Sequence, residues 1–441
     1  MLLVRPKRAE GLWRGVEILT QSRKERKGVW LVSASLQQVV AWILNPYAKA
    51  KEPKEVWLGL PIPSSKAHGS QRVVALRPQS ACPRKELFGI RLDRSIFAAS
   101  KMKNLQEFRQ LMAQPKNVVI VTHFKPDADA LGSSLGLAGF LKLKGHRVKV
   151  ITPSDYPDFL NWMPGQGEIL AVEKKSKEKL AAAKDLIQKA DVIFCLDFSS
   201  LSRIDALAEP VKTAQGVKVM IDHHMEPENF ASITKWNVDS ASTAGLIFEL
   251  IEELGEKHLI TADIAKCLYA GLMTDTGGFR HNNTRQQEFF IASELVKAGA
   301  NAHEVAKNVY DTNSIERLRL TGYVLSEKLQ VIPDLRTAYM TLNTRELNQF
   351  GSQTGDTEGL VNYGLSIKNI IFSVLIYDRG DEIKLSLRSV GNFNVNQIAR
   401  KHFEGGGHFN ASGGTTKLSL EKTVEKFLSI LPDYKNELLN H

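Results

Sequence analysis

Cysteine is scarce in this chain: three residues in 441, Cys82, Cys195 and Cys267, with no CxxC spacing. That argues against a disulfide framework or a thiolate zinc ribbon and fits a reducing cytoplasm. Long apolar runs are missing too. No stretch approaches the roughly 18 consecutive apolar residues of a membrane helix. The most signal-like segment, residues 28–44, follows the basic run Arg23-Lys24-Glu25-Arg26-Lys27. Ser33, Ser35, Gln37 and Gln38 interrupt it, and no small-residue cleavage site follows cleanly. No membrane partner is expected, and no internal repeat is visible. Positive charge is in excess, a formal +10, but it sits in one place. Residues 1–100 carry 18 Lys and Arg against 7 Asp and Glu, and the rest of the chain carries 40 against 41. A protein that tracks long duplexes spreads its basic residues along the binding face, so no long duplex DNA is expected as a partner.

Residues 1–101 are basic, punctuated by Pro and Gly, and weakly periodic; only short apolar runs such as residues 29–32 suggest structure. Three readings stay open: a disordered basic arm, translation from an upstream start codon with Met102 the true initiator, or a small extra domain. After Met102, the residues Leu105, Phe108, Leu111 and Met112 fall at helical spacing. From residue 117 the pattern is α/β. The apolar, β-branched run at 118–121 reads as a buried parallel strand, and 147–151, the apolar 192–196 and 217–221 read as further strands. Helices are expected over 133–144, 180–189, 241–254 and 262–272. This alternation predicts an α/β fold, a doubly wound, mostly parallel sheet over 102–300. A helical connector follows over 301–329. Strand patterns at 337–342, 370–377 and 382–388, then helices at 395–401 and 420–431, predict a smaller α+β domain over 330–441.

Four acidic or histidine clusters follow these elements. The first strand runs into a loop holding His123, Asp127 and Asp129, closed by Gly132. The third ends at Asp197, and the fourth in Asp222-His223-His224. The helix over 262–272 leads into Asp275. Singly, a loop Asp is most often a helix cap or turn former, and a lone His is most often a surface residue. Together they converge where ligands gather in such sheets, outside the carboxyl ends of the strands. Burying these groups costs several kcal/mol unless they are paired or bound to a cation. A donor set of His and carboxylate without thiolate favours Mn²⁺ or Mg²⁺, with Co²⁺ or Fe²⁺ as substitutes. It is too large for one ion that keeps water. Two ions about 3.5–4 Å apart, sharing a bridging carboxylate, use it economically and clamp both sides of a phosphoryl transfer.

His123-x3-Asp127-x-Asp129, Asp197, Asp222-His223-His224 and Asp275 resemble the four motifs of the DHH phosphoesterase superfamily. The run Gly405-Gly406-Gly407-His408-Phe409-Asn410-Ala411-Ser412-Gly413-Gly414 resembles the signature of its companion DHHA1 domain. The resemblance covers about residues 102–441. It implies that His123, Asp127 and Asp197 bind one metal, that Asp129, Asp197, His223 and Asp275 bind the second, and that Asp197 bridges. It also implies that His224 faces the scissile phosphate and that Asp222 orients its neighbouring imidazoles.

Glycine lets backbone N–H groups approach a phosphate with no Cβ in the way, so Gly405, Gly406 and Gly407 with His408 are candidates for substrate binding. The resemblance adds Arg388 to that group. Arg280, after the fourth motif, is a second phosphate-binding candidate. His146, His258, His303 and His402 are read as structural or exposed. Among relatives, the DHHA1-like signature argues against a pyrophosphatase. No nucleic-acid-binding fold is expected after the second domain, unlike RecJ-type exonucleases. The membrane and sensory regions of membrane-bound cyclic-di-AMP phosphodiesterases are not expected either. The compact form that remains resembles the oligoribonuclease (nanoRNase)/pAp-phosphatases. Its implied substrates are short oligoribonucleotides, cleaved to mononucleotides, and 3′-phosphoadenosine 5′-phosphate. A phosphodiesterase for cyclic-di-AMP or pApA, and a non-catalytic nucleotide- or RNA-binding module, remain as alternatives. A homodimer is left open.

Overall fold

The computed structural model describes residues 2–6, 16–20 and 102–440, apart from 174 and 175. Leu2–Pro6 (β1) and Val16–Thr20 (β2) form an antiparallel ribbon, with Leu2 opposite Thr20. The remaining expectations for residues 1–101, including Cys82 and the runs at 28–44 and 29–32, lie outside the described residues. Among the described residues no helix is long and apolar enough to cross a membrane.

The first large sheet has six strands: Asn117–Thr122 (β3), Arg147–Thr152 (β4), Leu170–Ala171 (β5), Val192–Leu196 (β6), Val217–Asp222 (β7) and Ile233–Trp236 (β8). Their order is β5-β4-β3-β6-β7-β8, and every pairing is parallel. The central strands are buried on both faces, which is why they read as unbroken β-branched runs. Alternate residues serve opposite faces. Val118, Ile120, Phe194 and Ile221 join the larger core, with helices Leu105–Leu111 (α1), Ala128–Leu143 (α2), Thr243–Leu254 (α4) and Ala262–Asp275 (α5). Val119, Val121, Ile193 and Cys195 face the other way, against Ala183 and Ile187 of Lys177–Gln188 (α3). The sheet is thus doubly wound, as the sequence pattern implies. Strands β5 and β8 were not expected: β5 has two residues, and Lys235 breaks the apolar pattern of β8. Lys235 is wholly buried, paired to Glu253 at 2.6 Å and Glu249 at 3.3 Å. The Met102 N–H donates to the same Glu253 at 3.2 Å.

The expected start of α2 at residue 133 is corrected. Asp127 is its N-cap, and its Oδ1 accepts from the N–H groups of Asp129 and Ala130, both at 3.0 Å. Asp129 therefore lies in the first helical turn, not in a loop. Nor is Gly132 a helix starter; it is where α2 crosses α5. A Cβ there would lie 2.4 Å from the Cys267 carbonyl oxygen and 3.1 Å from the Gly271 nitrogen.

Helices Gln286–Lys297 (α6), Ala302–Tyr310 (α7) and Ile315–Tyr323 (α8) lead to the second sheet. Its strands are Gln330–Ile332 (β9), Thr337–Leu342 (β10), Phe372–Asp378 (β11), Ile383–Ser389 (β12), Gly406–Gly407 (β13) and Ala411–Thr416 (β14). The order is β13-β14-β12-β11-β10-β9, and only β10 and β11 run parallel. The period of two along β12 buries Ile383, Leu385 and Leu387 against Val395–His402 (α9) and Leu420–Ile430 (α10). Lys384, Ser386 and Arg388 are turned to the opposite face.

Gly132→Ala forces α2 and α5 apart and should lower stability by about 1–3 kcal/mol, the usual cost of overpacking. Gly167→Ala, where a Cβ meets nothing within 4 Å, should stay within about 0.5 kcal/mol of wild type. Urea midpoints at unchanged slope check both.

Candidate metal centre

Strand order reverses between β3 and β6, and such a switch opens a crevice at the carboxyl ends of the strands. His123 lies just past β3, with Asp127 and Asp129 beyond it at the head of α2. Asp197 follows β6 in a left-handed conformation, φ 65°. Asp222, the last residue of β7, leads into His223 and His224. Asp275 arrives at the C-terminal end of α5. His123 Nε2 is 3.4 Å from Asp197 Oδ2. His223 Nε2 is 3.3 Å from Asp275 Oδ2, 3.4 Å from Asp197 Oδ1 and 3.8 Å from Asp129 Oδ2. His123, Asp127 and Asp197 bring one donor atom each within 4.8 Å of one another, and so do Asp129, His223 and Asp275.

The hydrogen bonds around this cluster decide what it lacks. His123 Nδ1 lies 2.9 Å from the Phe124 carbonyl and His223 Nδ1 3.1 Å from the Ser240 carbonyl. A carbonyl only accepts, so each Nδ1 carries a proton, and Nε2 is the atom that each ring turns toward carboxylate oxygens. Without a proton, Nε2 sets its lone pair against theirs, and His223 Nε2 is buried with no hydrogen-bond partner. A divalent cation between the donors removes that conflict, so these residues fit one. Burial and the charges of Asp197 and Asp275 push the Asp129 carboxyl well above the usual range. Burial likewise lifts Asp275 to about 6. Burial would raise Asp197 as well, but His123 and His223 hold it well below. Burial would lower His223, yet Asp197 and Asp275 raise it well above an ordinary imidazole. The metal-free cluster thus draws in protons where cations would otherwise sit.

Supports for these groups come from residues that sequence reasoning missed. The first turn of α4 donates to Asp129 from Thr243 N at 2.6 Å and Ala244 N at 2.9 Å, and Thr243 Oγ1 donates to Asp197 Oδ1 at 2.9 Å. Ser242 caps that helix, and a Ser-Thr pair before an apolar run is the signal that could have found it. Asp222 Oδ1 lies 2.8 Å from His224 Nδ1 and fixes that ring. Burial raises Asp222 to about 6, while burial and Arg203 hold His224 well below its usual value. Cys195 and Cys267 are buried, with thiols pushed up to about 12, so neither offers a thiolate.

Residues 117–272 match the DHH family, N-terminal domain, and residues 336–437 match the DHHA1 domain. Over 329 residues the chain is 31% identical to the bifunctional oligoribonuclease and PAP phosphatase NrnA of Thermus thermophilus, covering 74% of this chain and 92% of that protein. The chain belongs to the DHH/DHHA1 phosphoesterase family. It is also 27% identical to the protein of the same description from Bacillus subtilis, over 68% of this chain and 88% of that one. Among solved structures it resembles an exopolyphosphatase-related protein from Bacteroides fragilis, at 43% identity and TM-score 0.72, covering 76% of this chain and 98% of that chain.

The DHHA1 domain reaches into the DHH cluster. The His408 ring stacks on His224 at 4.2 Å between centroids and lies 4.5 Å from His223. Burial and those two imidazoles hold it well below its usual value. Arg400 of the DHHA1 domain pairs with Glu226 at 3.0 Å, and Asn282 donates to Asn410 at 3.0 Å. These inter-domain pairs were missed, because nothing in either partner's local pattern names the other. Arg388 lies within electrostatic reach of Asp127, Asp275 and Glu358. Arg280 is exposed, its Nε donating to the Gly277 carbonyl at 2.8 Å. Part of the glycine run forms a short strand at the edge of the second sheet. Gly406 and Gly407 pair with β14, and a Cβ on Gly405 or Gly407 would lie 2.2 Å from the Gly413 oxygen or 2.7 Å from the Ala411 oxygen. Close strand pairing is what excludes side chains at those two positions.

Exhaustive chelation should lower Tm by several degrees, and Mn²⁺ should restore it, since a ligand at about a hundred times its Kd adds about 2.7 kcal/mol. Calorimetric titration of the stripped protein should show two ions per chain, and Asp197→Ala should lose most of this binding.

Proposed function

We propose that the protein hydrolyses short oligoribonucleotides to mononucleotides and 3′-phosphoadenosine 5′-phosphate to AMP, in the cytoplasm. The observation that carries this reading is the seating of His408 against His223 and His224. It makes the DHHA1 domain a wall of the same cleft, and a cleft walled in this way suits a substrate of a few nucleotides. Further support comes from the Thermus thermophilus and Bacillus subtilis relatives, both named for these two activities. His123, Asp127 and Asp197 hold one cation and Asp129, Asp197, His223 and Asp275 the other, with Mn²⁺ preferred over Mg²⁺ or Co²⁺. When bound, such a pair supplies Lewis acidity toward phosphoryl oxygens. The side chains do the rest. Asp222 orients His224 toward the scissile phosphate. Arg280 neutralises a non-bridging oxygen. Arg388, with backbone N–H groups of Gly405, Gly406 and Gly407, grips the far phosphate, and His408 closes over His224 beside the scissile one.

A substrate panel with Mn²⁺ tests this. Ribonucleotides of two to four residues and 3′-phosphoadenosine 5′-phosphate should be cleaved, and long duplex DNA should not. Faster turnover of cyclic-di-AMP, or turnover of pApA alone among the short ribonucleotides, would replace the reading with that phosphodiesterase, and binding without turnover would replace it with a binding module. Arg388→Ala should raise KM about tenfold, the worth of one charged hydrogen bond, with kcat little changed.

A further inference from the structure

The fourth motif ends in a turn with an unusual backbone. Gly277, Gly278 and Phe279 all have positive φ, at 59°, 70° and 62°. Glycine adopts this freely, but phenylalanine is strained there. The turn is pinned on both sides. The Phe279 N–H donates to Thr276 Oγ1 at 3.1 Å, and Arg280 Nε donates to the Gly277 carbonyl at 2.8 Å. The Phe279 ring that results is half-buried on the core. It meets Tyr269 at 6.1 Å and stacks on Phe289 of α6 at 5.4 Å and 25°.

Phe289 is 56% exposed, so one face of its ring is backed by Phe279 and much of the rest is open. Tyr310, the last residue of α7, is 43% exposed. A Cβ on Gly278 would lie 3.8 Å from Tyr310 Oη and 3.9 Å from Arg280 Nε, so hydroxyl and guanidinium flank one point of the turn. The charges of Arg280 and Asp275 both act on the Tyr310 phenol. Single exposed aromatics are ordinary. Here both exposed rings border the turn that follows Asp275, Phe289 through its stack on Phe279 and Tyr310 through its hydroxyl beside Gly278 and Arg280. Aromatic faces with an adjacent guanidinium are what proteins use to stack unpaired bases, and they do so with little sequence preference because every base has a π-face.

We propose that Phe289 and Tyr310, backed by Phe279, form a stacking surface for a nucleobase adjoining the scissile phosphate. This rests on the nucleotide-hydrolase reading above and names the part of that substrate which the metal cluster and the glycine run do not address. An enzyme that must accept any short sequence gains affinity from such a surface without reading base edges.

The test is kcat/KM for pApA and for two analogues lacking the base at the 5′ or the 3′ residue. Wild type should prefer pApA to one analogue by about tenfold, the scale of a single stacked base. Phe289→Ala and Tyr310→Leu should reduce that preference to about twofold or less through KM, and Phe289→Trp should keep it. An unchanged preference in both reduced variants overturns the proposal while leaving nucleotide hydrolysis standing. Failure of wild type to cleave pApA at all overturns the underlying reading instead. A Phe289→Ala chain that loses self-association on ultracentrifugation but keeps the preference makes the patch a subunit contact, which also overturns it.

Discussion

Mutual repulsion among buried carboxylates governs this structure. Asp129 and Asp197 are almost fully buried, Asp127 and Asp275 partly so, and they converge on one rim of a parallel sheet. Each alone is an expensive group to bury, and together they are worse. The fold answers part of the problem with fixed dipoles: the N–H groups of Thr243 and Ala244 meet Asp129, and those of Asp129 and Ala130 meet Asp127. It does not answer all of it, because the Nδ1 protons of His123 and His223 go to backbone carbonyls, and the carboxylates are met at Nε2 only by a further proton or a cation. What is left over is a cage whose negative charge is not balanced by its own residues.

The rest of the molecule serves that cage. Close packing of α2 on α5 through Gly132 sets the distance between the first and fourth motifs, since α2 carries Asp129 and α5 ends at Asp275. The strand order opens the crevice in which they meet. The DHHA1 domain then closes one wall by laying His408 over His223 and His224. Strand ends and helix ends carry the clustered residues, while the residues proposed for substrate sit on the turn after Asp275, on α6, at the end of α7 and on the second domain.

The sequence made most of the fold and all of the cluster legible, for reasons that particular residues show. Runs such as Val118-Val119-Ile120-Val121 can only be strands buried on both faces, and β6 and β10 begin and end where the pattern said. The cluster was visible because polar groups followed such runs repeatedly. What escaped was nonlocal or short. Lys235 hid β8, because its charge is paired with glutamates far along the chain. Asp127 concealed the start of α2 by being both a cap and a ligand candidate. Arg400 and Glu226, or His408 and His224, are juxtaposed only by the docking of two domains. The pairing of Gly406 and Gly407 with β14 also escaped, because a run of glycines carries no strand pattern.

The central claim is that the cluster holds two cations close enough to share Asp197. Electron paramagnetic resonance of the Mn²⁺-titrated protein tests it most directly. The account predicts that the six-line signal of isolated Mn²⁺ gives way, as the second equivalent binds, to the multiline spectrum of a spin-coupled pair. A six-line spectrum that simply grows to saturation at one equivalent, or at two without coupling, would contradict it.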